Sequence, residues 1–375
     1  MYIFILGKNK NLSKLEISRH LAANYSTYKI IENADNYLTV DIKDFNPEST
    51  INELAGTLKI GEIDMKTNSI DEVLDRVFLN TKFNYSITNL NLTSTELEIV
   101  ELNVKKYLKK NKFKANYKKP LKNIVSPSKY SSWELDNGFE LIAYKTKGDL
   151  NVLITLVSAN TNYYKDFDNS RPARKFTHGT SFRLTNLMLN LFKFNHKTLV
   201  DPYCGTGTFL IGSLIKGFSV IGIDNETELI NTSRQNIEWA IDYYSVENAN
   251  YKLIKGYSES TDFKADACIF EPYMGPFLKK KPNKAQATQI AKRLQDLYKK
   301  LFENLKNNLN SKAEVICVIP YFVTNTGESI KINEKEVFTN FFKFQKLELD
   351  ISNPITYSTP DGSNIGRYIY LLETN

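Results

Sequence analysis

From about residue 181 onward, short apolar runs alternate with longer amphipathic stretches. The apolar runs predict strands, and stretches with apolar residues three or four positions apart predict helices. The predicted strands are Thr198 to Tyr203, Ser219 to Asp224, Tyr251 to Ile254, Asp266 to Phe270, Ala313 to Ile319, Phe342 to Leu349 and Arg367 to Leu372. The predicted helices are Ser181 to Leu191, one that begins at Thr208, Thr227 to Tyr243 and Ala285 to Asn307. This alternation predicts an α/β domain with a doubly wound, mostly parallel sheet of the Rossmann-like type.

The first 160 residues follow a less regular pattern that restarts once, near Lys82. Before that point, the strand-like and helix-like runs are Tyr2 to Leu6, Leu12 to Ala22, Tyr37 to Ile42 and Ile51 to Leu58. After it, the runs are Phe83 to Ile87, a helix-like stretch from Thr93 to Leu108, and strands at Phe139 to Tyr144 and Asn151 to Val157. Two small α+β units are the simplest interpretation.

The segment from Asn162 to Thr180 is polar and predicts a connector rather than a core element. The chain is therefore divided into an α+β unit at 1–80, a second α+β module at 81–160, a connector at 161–180 and the α/β domain at 181–375. A chain of 375 residues is long enough for several such units, each with its own core.

Composition narrows the class of protein. A hydrophobic content of 42% and a charged content of 24% are those of a globular chain, which excludes a disordered one. No apolar run approaches the roughly 20 residues that span a membrane. Cys204, Cys268 and Cys317 are far apart and lack the spacing of paired ligands, so that neither a disulfide framework nor a metal site is predicted. A reducing, cytoplasmic location is expected.

A turn with two glycines follows the first strand of the α/β domain. It reads Asp201-Pro-Tyr-Cys-Gly-Thr-Gly-Thr208 and leads directly into a helix. Glycine lets the backbone approach a ligand closely, and the first turn of a helix offers unpaired N–H donors. The residues predicted to contact a cofactor here are Asp201, Cys204, Gly205, Thr206, Gly207 and Thr208. A plain tight connection between strand and helix is the alternative.

The next strand ends in Asp224, which Asn225 follows. An acidic residue at this point accepts hydrogen bonds from the hydroxyls of a ribose, so both residues are predicted to contact a nucleoside cofactor. The turn carries Asp201 where dinucleotide-binding loops have their first glycine. This difference favours S-adenosylmethionine, whose ammonium group suits Asp201, over a dinucleotide.

The predicted catalytic residues follow the fourth strand. There the chain reads Phe270-Glu-Pro-Tyr-Met-Gly-Pro276. An exocyclic amine on a base is a poor nucleophile and must be held in line with the methyl donor. Glu271 and a backbone carbonyl held by Pro272 are suited to accept the hydrogens of the amine, and Tyr273 is suited to stack on the base. The alternative is a strand end capped by proline, with a tyrosine on the surface.

These motifs resemble those of class I amino methyltransferases. More closely, the chain resembles the THUMP-bearing tRNA guanosine-N2-methyltransferases over nearly its whole length. Further marks are the opening Phe4-Ile-Leu-Gly-Lys-Asn-Lys-Asn-Leu-Ser13, the segment Tyr164 to Lys175 with Arg171-Pro-Ala-Arg174, and Gly366-Arg-Tyr-Ile-Tyr370. The resemblance implies a ferredoxin-like unit, a THUMP-like module and a class I methyltransferase domain. It implies methylation of guanosine N2 in the tRNA core, and some members of the family use a small activating protein subunit.

The chain departs from the family pattern in three places. The fourth-strand element of the family begins with Asp or Asn and has two prolines, whereas Glu271 and a single proline stand here. Thr180-Ser-Phe-Arg183 replaces a helix start rich in leucine and proline. The third-strand loop lacks an acidic residue directly after Gly256, so that contacts to the adenine are assigned to Ser258, Glu259 or the backbone.

Lysines predict a nucleic-acid partner. Ten of them, without Asp or Glu, lie between Val104 and Tyr130, and Tyr107, Phe113, Tyr117 and Tyr130 are interleaved with them. Such a block tracks phosphates and its aromatic residues stack on bases, although a solvated helix face is the alternative. The residues predicted to bind RNA are Lys105, Lys109, Lys112, Lys114, Lys118, Lys119, Arg171, Arg174, Lys279, Lys280 and Lys281. For the two arginines, pairing with Asp166 and Asp168 is the alternative.

The sequence thus predicts an enzyme that transfers a methyl group from S-adenosylmethionine to guanosine N2 in tRNA. A DNA or ribosomal RNA amino methyltransferase is the enzymatic alternative, since the same site serves adenine and cytosine. A non-catalytic RNA-binding protein with a methyltransferase fold is the alternative from a different class.

Overall fold

A computed structural model describes residues 1–63, 69–77, 82–120, 122–134, 138–173, 180–193, 197–338, 340–358 and 364–375. The chain forms two compact units, Met1–Lys165 and Asp166–Asn375, and the two are described separately below. The division between them falls inside the segment that the sequence predicts to be a connector.

Unit 1 is an α+β structure. Its strands are β1 (Tyr2–Leu6), β2 (Tyr28–Asn33), β3 (Tyr37–Ile42), β4 (Thr57–Glu62), β5 (Lys82–Asn89), β6 (Lys114–Tyr117), β7 (Phe139–Thr146) and β8 (Asp149–Ser158). Its helices are α1 (Lys10–Asn24), α2 (Pro47–Glu53), α3 (Ile70–Asp75), α4 (Ser94–Lys110) and α5 (Pro127–Glu134), and α6 (Thr161–Ser170) crosses into unit 2. The strands form one sheet in the order β2-β3-β1-β4-β8-β7-β5-β6. Because β4 pairs directly with β8, the two predicted α+β modules share this sheet, and the boundary at residue 80 stays a prediction.

The structure differs from two of the runs predicted in unit 1. The run Ile51 to Leu58 straddles the end of α2 and the start of β4 and is not one element. Helix α1 is not simply amphipathic, because it buries polar residues as well as leucines. The buried Glu16 carboxylate accepts hydrogen bonds from the backbone N–H groups of Ala55 and Gly56, both at 2.7 Å, and so holds the turn before β4.

Unit 2 is an α/β structure. Its strands are β9 (Thr198–Asp201), β10 (Ser219–Asp224), β11 (Tyr251–Lys255), β12 (Ala265–Phe270), β13 (Leu309–Val323), β14 (Ser329–Lys331), β15 (Phe342–Phe344), β16 (Ile355–Tyr357) and β17 (Ile365–Thr374). Its helices are α7 (Phe182–Leu189), α8 (Thr208–Ile215), α9 (Thr227–Tyr243), α10 (Lys284–Asn308) and α11 (Glu334–Val337). The predicted strand Phe342 to Leu349 is shorter in the structure, where β15 ends at Phe344 and a 3₁₀ turn at Glu348–Asp350 follows.

The sheet of unit 2 has the order β11-β10-β9-β12-β13-β17-β15. The first five strands are parallel, and β17 runs antiparallel to β13. From β9 the chain builds the sheet outward in one direction through β10 and β11 and in the other through β12 and β13. The crevice at the carboxyl ends of β9 and β12 is therefore the switch point at which open α/β sheets bind ligands.

The expectation of a pure connector before unit 2 is wrong. Helix α6 occupies its first half, and the Phe167 ring is fully buried. This ring stacks on Phe182 with centroids 3.7 Å apart and planes 10° apart, and its centroid lies 5.8 Å from that of Trp239. One aromatic residue thus makes a mostly polar helix part of the core of unit 2.

Candidate active site at the β9–β12 switch point

The glycine turn between β9 and α8 is held by its own backbone. Gly205 and Gly207 have φ values of 51° and 87°, a region that favours glycine. A Cβ on Gly207 would also lie 2.6 Å from the Ser233 hydroxyl of α9. Among the described residues, a Cβ on Gly205 would meet one atom within 4 Å, the Tyr203 carbonyl oxygen at 3.9 Å. Gly207 therefore lets the turn pack on α9, while Gly205 leaves open space beside the turn.

Asp201 lies at the bottom of the crevice and is 1% exposed. Its carboxylate accepts a hydrogen bond from the backbone N–H of Tyr203 at 3.0 Å. Burial raises the pKa of Asp201 well above its ordinary value, and the negative charges of Asp224 and Glu271 raise it further. A cation in this crevice would offset that charge repulsion.

Asp224 joins the end of β10 to the glycine turn. One carboxylate oxygen accepts from the N–H of Gly205 at 3.0 Å, and the other accepts from the N–H of Glu226 at 2.9 Å. Burial raises the pKa of Asp224, although these backbone bonds act in the opposite direction. The carboxylate also interacts with the backbone N–H of Asn225, and its two oxygens have four lone pairs in all, so acceptor capacity remains for a ligand. Asn225, the next residue, is exposed.

The loop after β11 braces the turn from the other side. The Ser258 hydroxyl is buried and donates to the Pro202 carbonyl. The Glu259 carboxylate accepts from the Tyr203 hydroxyl at 3.0 Å. Asn304 on α10 donates to the Ser258 carbonyl at 2.9 Å. Both predicted adenine contacts thus have protein partners here, and contact with a cofactor stays a prediction for them.

Buried Asn236 on α9 ties the turn to the segment after α6. Its amide donates to the carbonyls of Thr206 at 2.9 Å and Ala173 at 3.0 Å. It also accepts from the N–H of Ala173 at 3.1 Å. The Arg171 guanidinium donates to the Thr208 hydroxyl at 3.2 Å and lies 4.0 Å from the Asp168 carboxylate. Arg171 therefore contacts Thr208, where the glycine turn leads into α8. The pairing with Asp168, which the sequence left open, is present.

Glu271 comes directly after β12 and is held at both carboxylate oxygens. Oε2 accepts from the Thr180 hydroxyl at 2.5 Å, and Oε1 accepts from Nε of Arg367 at 2.8 Å. Pro272 is buried, whereas Tyr273 is 54% exposed. The buried Tyr298 hydroxyl of α10 donates to the Tyr273 carbonyl at 2.6 Å and fixes the backbone at that point. The exposure of Tyr273 after a buried proline fits both the stacking role and the alternative of a strand end capped by proline, so the catalytic roles of Glu271, Pro272 and Tyr273 stay predictions.

A braced loop extends from Tyr273 to a basic surface. Asn364 donates to the Leu278 carbonyl at 2.8 Å and fixes the far end of the loop. Phe277 between the two ties is 82% exposed. The lysines that follow, Lys279, Lys280 and Lys281, are exposed as well. The loop thus presents an apolar ring beside positive charge.

The lysine block lies in unit 1 and only partly matches its prediction. Of the predicted RNA-binding lysines in it, Lys105, Lys109, Lys112, Lys114 and Lys119 are exposed and Lys118 is half-buried. The aromatic residues among them are core residues and not a stacking surface. Tyr107 and Tyr130 are buried, and the half-buried Tyr117 stacks on Tyr85 with centroids 5.1 Å apart. Arg174 lies outside the described residues.

The structure thus brings Asp201, Asp224 and Glu271 to one edge of the sheet. The sequence did not predict the contacts or exposure of five further residues near this edge, which are Thr180, Asn236, Tyr298, Phe277 and Arg367. Two of these carried a signal, because Thr180 stands in a departure from the family pattern and Arg367 in one of its marks. Asn236 and Tyr298 lie on long helices and carried none.

Neither a membrane-spanning helix nor a cluster of metal-binding side chains occurs in the residues that the structure describes. In those ranges, no helix is both long and apolar enough to cross a membrane. The same part of the chain holds no group of three or more His, Cys, Asp and Glu side chains arranged to bind a metal ion.

Known proteins that are similar to the chain include a curated relative and two solved structures of similar extent. No protein-family model matches the chain. A tRNA (guanine(10)-N2)-dimethyltransferase of Methanothermobacter thermautotrophicus is 22% identical over 163 residues, which cover 42% of this chain and 44% of that protein. TrmN from Thermus thermophilus superposes over 100% of this chain and 99% of its own at 10% identity, with a TM-score of 0.57. A possible methylase from Clostridium difficile 630 covers 100% and 98%, at 15% identity and a TM-score of 0.54.

These likenesses confirm the predicted fold class and the resemblance on which it depended. The two solved structures share the fold over the whole chain, which includes the Rossmann-like sheet of unit 2. The name of the curated relative agrees with the family that the sequence resembles. The chain matches less than half of the length of that relative.

Proposed function

We propose that this protein transfers a methyl group from S-adenosylmethionine to an exocyclic amino group in RNA, namely guanosine N2 in tRNA. The observation that carries the proposal is Glu271, an anchored carboxylate beside the exposed ring of Tyr273 at the switch point of the sheet. The name of the curated relative supports tRNA as the substrate and guanine N2 as the acceptor.

The residues of the crevice fit S-adenosylmethionine. This cofactor supplies a methyl group activated by a positively charged sulfur. Asp201 would pair with its ammonium group, because a cation would offset the burial and the neighbouring charges of Asp224 and Glu271 that raise the pKa of this carboxylate. Asp224 would accept from the ribose hydroxyls with its remaining lone pairs, and the open space beside Gly205 admits a ligand.

The chain's own groups prepare the acceptor. Tyr273 would stack on the target base and fix the plane of its amino group. Glu271 would accept a hydrogen bond from that amine, which orients the nitrogen lone pair and stabilises the positive charge that develops on it. Because Glu271 is only 15% exposed, this hydrogen bond forms largely out of water, where it is stronger.

We expect Asp201→Asn to weaken binding of S-adenosylmethionine by roughly 10- to 100-fold, the usual loss for a charged hydrogen bond. A cationic ligand favours the ionised carboxylate, so the affinity of the unaltered protein should rise with pH above the ordinary aspartate range. The Asn variant should lose this pH dependence. Calorimetric titration with S-adenosylmethionine between about pH 5 and pH 8 measures both effects.

Asp201 also affects the stability of the fold, and the free energy of unfolding should change with pH in the opposite direction to the cofactor affinity. An acid with a raised pKa binds more protons in the folded state than in the unfolded state, so the free energy of unfolding falls as pH rises through that range. Asp201→Asn should remove this fall while its amide oxygen still accepts from the N–H of Tyr203. Asp266→Asn is the matched control. Asp266 also accepts a hydrogen bond from a backbone N–H, that of Thr198, at the end of β9 opposite to Asp201. Unchanged cofactor affinity in Asp201→Asn would exclude its assigned role.

We expect Phe277→Ala to raise the KM for tRNA by about 10-fold, because one base–aromatic stacking contact contributes about 1–3 kcal/mol. The ring is exposed on a loop that is tied at Tyr273 and Leu278, so it is already in place for stacking. Tyr243→Ala removes another exposed aromatic side chain, 51% exposed at the end of α9, and serves as the control. Equal KM values in the two variants would contradict an RNA-contacting role for Phe277.

Nucleoside mass spectrometry of tRNA from cells with and without the gene tests the proposed function. Loss of an N2-methylguanosine on deletion, restored by the gene, is the expected result. No lost methylguanosine would overturn the tRNA assignment. Binding of S-adenosylmethionine without transfer to any RNA would instead favour the non-catalytic alternative. A cytoplasmic location and a small activating subunit stay predictions from the sequence.

A further inference from the structure

Glu271 is held by two distant parts of the chain. Its two oxygens accept from Thr180 and Arg367, and 15% of the Glu271 side chain and 27% of the Arg367 side chain are exposed. The two partners lie 91 and 96 residues away along the sequence. The carboxylate is therefore fixed in direction as well as in position.

Arg367 lies on a strand, and Thr180 lies next to the residue that caps a helix. Arg367 lies on β17, whose backbone pairs at this residue with Pro320 of β13 on one side and Tyr357 of β16 on the other. Thr180 directly precedes Ser181, whose side chain caps α7 by accepting from the N–H of Leu184 at 3.2 Å. A side chain supported in this way holds its partner more closely than one on a free loop.

A clamp of this kind is what a glutamate needs at this position. Glutamate has one more rotatable bond than aspartate and reaches about 1.5 Å further, so an unrestrained Glu271 would spread over several rotamers. Counting the contacts of the described residues, each oxygen uses one of its two acceptor directions in the clamp, which leaves one per oxygen for an amine. Thr180 and Glu271 are both positions at which the chain departs from the family pattern, and the two contact each other.

We propose that Arg367 and Thr180 are positioning residues that aim Glu271 at the amino group of the target base. This inference rests on the proposed function and adds the two groups that set the geometry of its key carboxylate. Arg367 supplies a charge-assisted hydrogen bond through Nε, and Thr180 supplies a short hydroxyl bond. Neither residue needs to contact the cofactor.

The test measures kcat and KM for tRNA, together with calorimetric affinity for S-adenosylmethionine, in Arg367→Met and Thr180→Val. We expect kcat to fall by about 10- to 100-fold, the usual loss when a reacting group is misplaced by about 1 Å. Cofactor affinity should change less than about 2-fold in both. Thr180→Ser keeps the hydroxyl and should restore most of kcat. Lys343→Met is the control, because it also removes a cation from an ion pair to β17, with Glu373 at 3.0 Å.

A positioning role also predicts that the effects of Glu271→Ala and Arg367→Met on kcat are not additive. In a Glu271→Ala background, Arg367→Met should lower kcat no further, because its target is gone. A full additional loss in that background would assign Arg367 a structural role and overturn the inference. Unchanged kcat in Arg367→Met and Thr180→Val, with transfer by the unaltered protein, would overturn the clamp alone. No transfer to any RNA by the unaltered protein would overturn the proposed function and the clamp with it.

Discussion

Substitution of Glu271 with alanine is expected to lower the kcat of methyl transfer by about 10²- to 10⁴-fold, the range for loss of a positioned acid–base group. The reason is that Glu271 is the anchored carboxylate next to Tyr273 at the crevice. Affinity for S-adenosylmethionine should stay within about 3-fold, because the cofactor contacts are assigned to Asp201, Asp224 and the glycine turn. Single-turnover transfer to tRNA and calorimetry measure the two quantities.

Glu271→Gln separates charge from shape. Its amide oxygen can still accept from Arg367, and its NH₂ group can donate to the Thr180 hydroxyl, so the side chain stays in place. We expect kcat to fall in this variant too, since a neutral amide stabilises the developing positive charge less. A Gln variant with the kcat of the unaltered protein would show that the negative charge plays no part. An Ala variant with unchanged kcat would remove Glu271 from the reaction.

The residues at strand ends could be predicted because their placement follows from local pattern and one topological rule. Asp201, Asp224 and Glu271 each end or follow a predicted parallel strand, and the carboxyl ends of parallel strands meet at one edge of a sheet. The residues from other parts of the chain that hold these carboxylates could not be predicted in this way. Arg367 reaches Glu271 only because β17 inserts antiparallel beside β13, and no local periodicity encodes that pairing.

Other errors had a signal that was available. Tyr107 lies three and seven residues after Val104 and Val100, the spacing of one buried helix face, yet the surrounding lysines favoured a stacking surface. Phe167 shows the reverse case. It is one of three aromatic residues in an otherwise polar helix, and the average polarity of that helix conceals the side chain that the core of unit 2 buries. The average composition of a segment indicates its average exposure, and it does not reveal a single buried side chain.

Loss of the Lys59 ammonium is expected to lower the free energy of unfolding of unit 1 by about 3–5 kcal/mol, as found when one partner of a buried ion pair is removed. Lys59 on β4 and Glu140 on β7 pair with side chains that are both 0% exposed. Burial lowers the pKa of Lys59, while the charge of Glu140 acts in the opposite direction. Lys59→Met would leave the Glu140 carboxylate with Thr88 as its remaining side-chain partner among the described contacts. Urea denaturation measures the change.

In a Trp239→Phe background, urea denaturation followed by tryptophan fluorescence is specific to unit 1. Trp133 is then the one tryptophan of the sequence, and it lies in that unit. Lys145→Met is the control. Lys145 pairs with Glu96 at 2.6 Å but is 41% exposed, so its loss should change the urea midpoint far less. The double variant Lys59→Met with Glu140→Leu removes both charges, and it should recover most of the stability, because the cost comes from an unpaired buried charge and not from the missing bond. If the double variant is no more stable than Lys59→Met, packing rather than electrostatics dominates at this site.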